Sequence, residues 1–325
     1  MQRAERFVFL WLAAIALCTF GGGVLAQAYP AKPIRFLVPY APGGVGDITA
    51  RLVAQRMSEN IGQQVVIENR PSAGLIVATE AAARAEPDGY TIVLTGNGTA
   101  LSVSLFKSLP YDVVNDFVHV STIGFFDLAL LAAADSKFNS VADVLAFAKS
   151  NPGKLNIGTI NIGSTQHLAA ELFKSMAGID VQTVPFKATS AVVTALRGND
   201  VQLAFEILAP VMSQIKGNAV KALAVTSNRR FAGLPGTPTL AESGVPGYQA
   251  SSWNGISITA KAPRAIVERL NKEIAAAVTS PDVRQKMQDL GVDARSSTPE
   301  QMRELMIADV GKWKTVIERA KIERQ

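Results

Sequence analysis

The sequence holds one cysteine, Cys18, and two histidines, His119 and His167, among its 325 residues. Cys18 lies in an apolar run near the start, so the body that follows has neither thiol nor disulfide and must hold by packing alone. Neither histidine has a second His or a Cys at metal-ligand spacing, which argues against a zinc centre. There is no G-x-S-x-G nucleophile elbow and no G-K-S/T phosphate loop. A dinucleotide fingerprint also fails, because with Gly44 and Gly46 in place its third position falls on Thr49. Lys and Arg outnumber Asp and Glu by 32 to 27, but nowhere in a cluster, so nucleic acid is not an expected partner. The mild positive field suits capture of anions as well as plain solubility.

The first residues have the pattern of a cleaved export signal. Arg3 and Arg6 precede an apolar stretch from Phe7 to Phe20, and Ala26-Gln27-Ala28 offers small residues for cleavage. The stretch is shorter than the ~20 residues a spanning helix needs, and no later run reaches that length. The expectation is a signal peptide over residues 1–28 and a periplasmic body beyond it. A body of nearly 300 residues exceeds what one core supports, which predicts two lobes.

Two stretches share an order of elements. Ile34 to Val38 reads as a strand, Pro39 to Gly46 as a loop with two prolines and three glycines, and Ile48, Leu52, Val53 and Met57 as a helix that Gly62 ends. Strand Val65 to Glu68, helix Ala73 to Ala85 and strand Tyr90 to Thr95 follow. About 120 residues on the order returns: strand Leu155 to Gly158, loop Thr159 to Ser164, a helix ended by Gly178, strand Val181 to Val184, helix Ala188 to Arg197 and strand Val201 to Phe205. Crossings between the lobes are expected at Ser121 to Asp127 and Thr226 to Pro235. They divide the body into residues 29–124 with 228–325, and residues 125–227. The helical tail is expected to pack back on the first lobe.

The loop from Tyr40 to Asp47 joins a strand to a helix. A helix start carries unpaired N–H groups and the positive end of its dipole, and glycine admits an anion to the backbone. Tyr40, Pro42, Gly43 and Gly44 are therefore candidate carboxylate contacts, with Asp47, itself negative, as organiser of the loop. The plainer reading is a tight turn capped by Asp47. Gly163, Ser164, Thr165 and His167 form a second such junction in the other lobe, and two helix starts facing one cleft would hold an anion from both sides. Thr95 and Asn97 can add side-chain hydrogen bonds.

These and other motifs resemble the tripartite tricarboxylate transporter substrate-binding family, also called the Bug receptors, across nearly the whole body. The matching runs include Pro39 to Asp47 with Ala50-Arg51, Val65 to Pro71, Pro87-Asp88-Gly89-Tyr90, Leu109 to Asp112, Asn151 to Asn156, Val184 to Lys187, Leu223 to Thr226, Pro238-Thr239 with Glu242, and Trp253. The resemblance implies an α/β Venus-flytrap fold of the type II kind: two lobes, each a mixed sheet flanked by helices, joined by a hinge of two crossings. It also implies a non-enzymatic periplasmic receptor for a small organic acid, a dicarboxylate or an aromatic acid, served by a two-component membrane permease and needing neither cofactor nor metal. One carboxylate would sit at the two loops, and variable residues, Lys187 and Glu206 among them, would read its far end. The sequence departs from the family pattern there. Ala188 stands for glycine, Gln202 for aspartate, Glu206-Ile207 for Asp-Asn, and Ser102-Val103 for Asn-Pro. Phe125, Phe126 and Trp253 are available to line a pocket or to pack the core. Two rivals stay open: the same lobes as input to a membrane sensor kinase, and an exported hydrolase or isomerase built on Ser164 and His167.

Overall fold

The structure, a computed structural model, describes residues 29–325, so the expected signal peptide lies outside the described residues. Its first strand, β1 (Ile34–Val38), is buried everywhere except at Arg35. The loop that follows leads into α1 (Val45–Ile61), which turns Ala50, Val53, Ala54 and Met57 to the core and ends at Gly62 in a left-handed conformation. Then come β2 (Val65–Asn69), a 3-10 turn kinked at Gly74 and Leu75, α2 (Ile76–Ala83), β3 (Thr91–Gly96) and α3 (Asn97–Leu105). After β4 (Phe117–Ala133) and α4 (Val141–Ser150) the series recurs: β5 (Asn156–Ile160), α5 (Thr165–Ala177), β6 (Gln182–Phe186), α6 (Thr189–Arg197), β7 (Leu203–Ile207) and α7 (Leu208–Lys216). Strands β8 (Val220–Val225), β9 (Ser251–Thr259) and β10 (Val292–Ala294) and helices α8 (Arg264–Thr279), α9 (Pro281–Asp289) and α10 (Pro299–Arg319) complete the chain.

The strands run in the order β2-β1-β3-β9-β4-β7-β5-β6, with β8 and β10 also paired to β4. β1 lies between parallel β2 and β3, and β5 between parallel β6 and β7; β3 and β7 each then meet an antiparallel strand, β9 and β4. Both halves are thus mixed sheets of one topology, the two-lobed architecture expected. In such a sheet the loops after the first and third strands gather at one end, where ligands bind.

A single strand makes the first crossing. β4 pairs with β9 up to Asp127 and with β7 from Leu128, so its two ends belong to different halves. The second crossing corrects the expectation. It does not fall across Thr226 to Pro235, because Thr226 stays bound to Leu128 through its backbone and hydroxyl, and Phe231, Leu240, Val245, Tyr248 and Ala250 are all buried in second-half clusters. Each large apolar side chain buried is worth about 1.5–3 kcal/mol, which keeps this irregular segment on the second half until Ala250. The crossing lies at Ala250–Ser251, beside the first: Ser251 pairs with Asp127 and donates its hydroxyl to that carboxyl at 3.1 Å. The tail differs too. α8 and α9 cover the first half, but α10 buries Met302 and Met306 there and Trp313, Val316 and Ile317 in the core of the second.

Candidate functional site

The loop before α1 is held from within by Asp47. Its Oδ2 accepts from the Gly43 N–H and from Arg51 Nε, both at 2.9 Å, and its Oδ1 accepts from Asn69 Nδ2 at 2.8 Å. Burial pushes the Asp47 carboxyl up, but the hydrogen bonds from Arg51, Asn69 and Gly43 together outweigh it and leave the group below its ordinary value. Gly43 takes a φ of +87°, open to glycine at little cost, and Gly44 is the N-cap with no side-chain cap bond. The first backbone N–H taken up by the helix ladder is that of Ile48, which donates to Gly44. The N–H groups before it point out of the helix end, and a side chain built on Gly43 or Gly44 would enter open space. Pro42, Gly43 and Gly44 are exposed, while the Tyr40 ring lies 2.9 Å from where a Gly46 side chain would begin. Burial raises the Tyr40 hydroxyl to about 12, so it stays a neutral donor.

The loop before α5 repeats this construction. Gly163 has φ +80°, Ser164 is the N-cap with nearly the backbone angles of Gly44, and His167 occupies the position of Asp47. His167 Nδ1 faces the N–H of the glycine four residues earlier, as Asp47 does, at a longer 3.5 Å. Burial lowers the His167 pKa and keeps the imidazole the neutral acceptor this contact needs. The second loop is more self-satisfied. The Ser164 hydroxyl accepts from His167 N–H at 3.1 Å and donates to the Ile160 carbonyl at 3.0 Å, and Ser164 N–H donates to Asn161. That hydroxyl is therefore a cap aimed at a backbone carbonyl, with no imidazole as its base, which removes the support for a Ser164–His167 nucleophile. Of the two helix starts, α1 leaves more N–H groups open to an anion.

The first turn of α3 connects the two loops. The Tyr40 hydroxyl reaches to within 3.4 Å of the Cβ position of Gly98, and the neighbouring Asn97 accepts from Thr165 Oγ1, at the start of α5, at 2.9 Å. Asn97 also donates to Asp309 Oδ2 at 3.1 Å, the oxygen that receives Trp253 Nε1 at 2.7 Å. Asn97 and Thr165 thus spend their side chains on each other across the two halves. Thr95, expected at the ligand, turns the other way: it is buried and bonded to Ser257 Oγ at 2.6 Å, which in turn meets His119 Nδ1 at 3.0 Å. β3 is buried on both faces, so alternation along it gave no sign of which way Thr95 points. His119 is a core residue whose burial takes its pKa down to about 4.

Glu206, the last residue but one of β7, lies beside the starts of α5 and α6. It is fully buried; its Oε2 accepts from Thr189 Oγ1 at 3.0 Å and Gln166 Nε2 at 3.3 Å, and its Oε1 has no hydrogen-bond partner among the described residues. Gln166 and Thr189 lie in the first turns of α5 and α6. Burial pushes the Glu206 carboxyl up to about 7, with those hydrogen bonds acting against it. Lys187, between β6 and α6, is exposed and forms no ion pair among the described residues.

Asn254 lies beside the first loop and escaped the sequence reading. It is 4% exposed, its amide lies 3.2 Å from the Cβ position of Gly46, and it makes no side-chain hydrogen bond among the described residues. The available signal was an amide between Trp253 and Gly255 in a strand that otherwise buries Ile256 and Ile258. The aromatic candidates serve packing instead. Trp253 and Phe126 are core residues, and Phe125 carries the Arg295 guanidinium on its ring at 3.8 Å. Two departures from the family pattern are also structural: Gln202 bonds Asn156 and Asn199, and Ser102 bonds Gly74 and Gly98.

Residues 49–322 match the family described as the tripartite tricarboxylate transporter family receptor. Protein BugT of Bordetella pertussis is 33% identical over 93% of this chain and 94% of its own length. Among solved structures, Rpa4515 of R. palustris with adipate is 32% identical, covers 91% of this chain and all of its own, and superposes with a TM-score of 0.75. MatC of Rhodopseudomonas palustris with bound malate is 28% identical, covers 89% of this chain and all of its own, and has a TM-score of 0.71.

Proposed function

Since the chain belongs to the tripartite tricarboxylate transporter family of receptors, we propose that it captures a short dicarboxylate between its two halves in the periplasm and delivers it to a two-component membrane permease. The observation that carries this reading is the repeated loop, Gly43 to Asp47 and Gly163 to His167, with one backbone form and one internal hydrogen bond in each half. One carboxylate would sit on the open N–H groups at the start of α1, near Tyr40 and Asn254. The other end would lie toward α5, within reach of Lys187 and a protonated Glu206. No covalent step is involved. Binding energy comes from preorganised donors, and closure about the paired crossings at Asp127 and Ser251 excludes water. A dicarboxylate is favoured over an aromatic acid because Phe125, Phe126 and Trp253 are committed elsewhere, and relatives of similar fold hold adipate and malate. Calorimetric titration with malate, adipate and monocarboxylates of matched length is expected to give saturable binding, tightest for the diacids. Heat from another solute class and none from any carboxylate would overturn the reading.

Glu206 makes this binding pH-dependent. Its folded pKa of about 7 lies above the ordinary value near 4.3, so the folded state holds the proton more tightly than the unfolded one. Stability is full below the ordinary value and is lost as pH rises toward and through 7, by about 3–4 kcal/mol. Dicarboxylate affinity is expected to fall over the upper part of that range, as the donor becomes a repelling charge. Glu206→Gln keeps an oxygen for Thr189 and Gln166, and the expected result is a melting temperature and affinity flatter between pH 5 and about 8 than those of the wild type. Identical pH profiles would show that Glu206 does not titrate in this range.

A further inference from the structure

Beside the hinge, on the flank away from β3, a cavity of about 370 Å³ is lined by Asp127, Arg229, Arg230, Arg284, Asp293 and Arg295. Four guanidinium groups face two carboxyls, and the carboxyls are already engaged. Asp293 is ion-paired with both Arg229 and Arg295, the latter at 3.4 Å, while Asp127 accepts from Ser251. Burial raises the Asp127 pKa and so favours its uncharged form. On the cationic side, Arg230 pairs with Glu242 at 3.1 Å, whereas Arg284 has no ion pair or side-chain hydrogen bond among the described residues. Arg295 lies over Phe125 at 3.8 Å, and its buried Nε is 3.4 Å from Asp293 Oδ2 without forming a hydrogen bond among the described residues.

We propose that this cavity is a second anion site, separate from the cleft, which takes a small dianionic oxyanion of the sulfate or phosphate kind and ties the two halves together at the hinge. Planar guanidinium forks match such oxygens, and the uncommitted Arg284, with Arg295 beside it, supplies them from one half. Arg284 is on α9 and Arg295 follows β10, both packed on the first half. Arg229 and Arg230 are anchored to the second half through the adjacent Phe231, which is buried against Leu208, Val211 and Val225. Opening or closing the hinge alters the spacing between these pairs. An ion bridging them therefore favours one hinge angle, and by linkage the affinity of the cleft depends on whether it is bound.

The test titrates sulfate and phosphate into the protein at fixed ionic strength, with chloride as the control. Saturable binding is expected, and Arg284→Gln and Arg230→Gln should each weaken it about tenfold, since each removes a charge-assisted hydrogen bond. Both side chains are on the surface, so melting temperatures without the oxyanion should stay at the wild-type value. Gly44→Val, which blocks the cleft, should leave sulfate binding unchanged, separating the two sites. Small-angle scattering should report a sulfate-dependent change in radius of gyration in the wild type that is absent in Arg284→Gln. Binding no stronger than chloride, equal binding in the arginine variants, loss in Gly44→Val, or a radius of gyration that sulfate does not move in the wild type would overturn the proposal.

Discussion

Gly44→Val is expected to weaken carboxylate binding by at least about a hundredfold while the protein still folds. A pair of charge-assisted hydrogen bonds accounts for a loss of that size, and the start of α1 offers more than one open N–H. Gly44 has φ −74° and ψ 161°, which valine adopts freely, and the nearest atom to its added Cβ is the Ala41 carbonyl at 3.9 Å. The side chain therefore strains nothing and occupies the space in front of the helix. Valine is a poor N-cap, a penalty of about 1 kcal/mol, so the melting temperature should fall by only about 2–4 °C. Gly43→Val is the contrasting variant. At φ +87° a β-branched residue is strained whatever the room around it, so binding and stability should fall together. Calorimetry and thermal melts on both proteins separate the effects. Wild-type affinity in Gly44→Val would reduce the loop to a turn.

What the sequence disclosed was backbone. A run such as Ile34 to Val38 followed by Pro42-Gly43-Gly44 has few foldings other than strand, tight loop and helix, and Gly62 and Gly178 mark the ends of α1 and α5 by their left-handed conformations. The order of elements in each half was legible for the same reason. Side-chain direction was less so. Thr95 lies in a strand with no exposed face, and only the packing of β9 against β3 turns it toward Ser257. The second crossing was misplaced because residues 226–250 have no helical or strand period; their apolar side chains reach the second core from an irregular path. The likeness of Asp47 to His167 was hidden by chemistry. A carboxylate and an imidazole share nothing in sequence, yet each accepts the N–H of a glycine four residues earlier.

That role makes Asp47→Ala the substitution with the largest expected effect on stability. The carboxyl is buried and receives three donors, from Gly43, Arg51 and Asn69. Arg51 is half-exposed and can return to water, and Asn69 Nδ2 keeps the Tyr40 carbonyl at 3.0 Å, but the Gly43 N–H loses the partner that fixes the loop and Asn69 loses one of its two acceptors. Losing these charge-assisted hydrogen bonds costs about 2–3 kcal/mol in all. Carboxylate affinity should fall with it, since Gly43 and Gly44 lose the contact that sets their conformation. Asp47→Asn should recover part of the loss, because its oxygen can still meet Gly43 and Arg51 while its NH2 confronts the Asn69 amide. The pH dependence gives the sign independently. The folded pKa of Asp47 is depressed, so its contribution is present above the ordinary aspartate value of about 3.9 and is lost as pH falls through the folded value. Urea midpoints of wild type and Asp47→Ala should therefore differ most near neutrality and converge in acid. A gap that widens on acidification, or one absent at pH 7, would mean that the loop holds its form without the carboxylate.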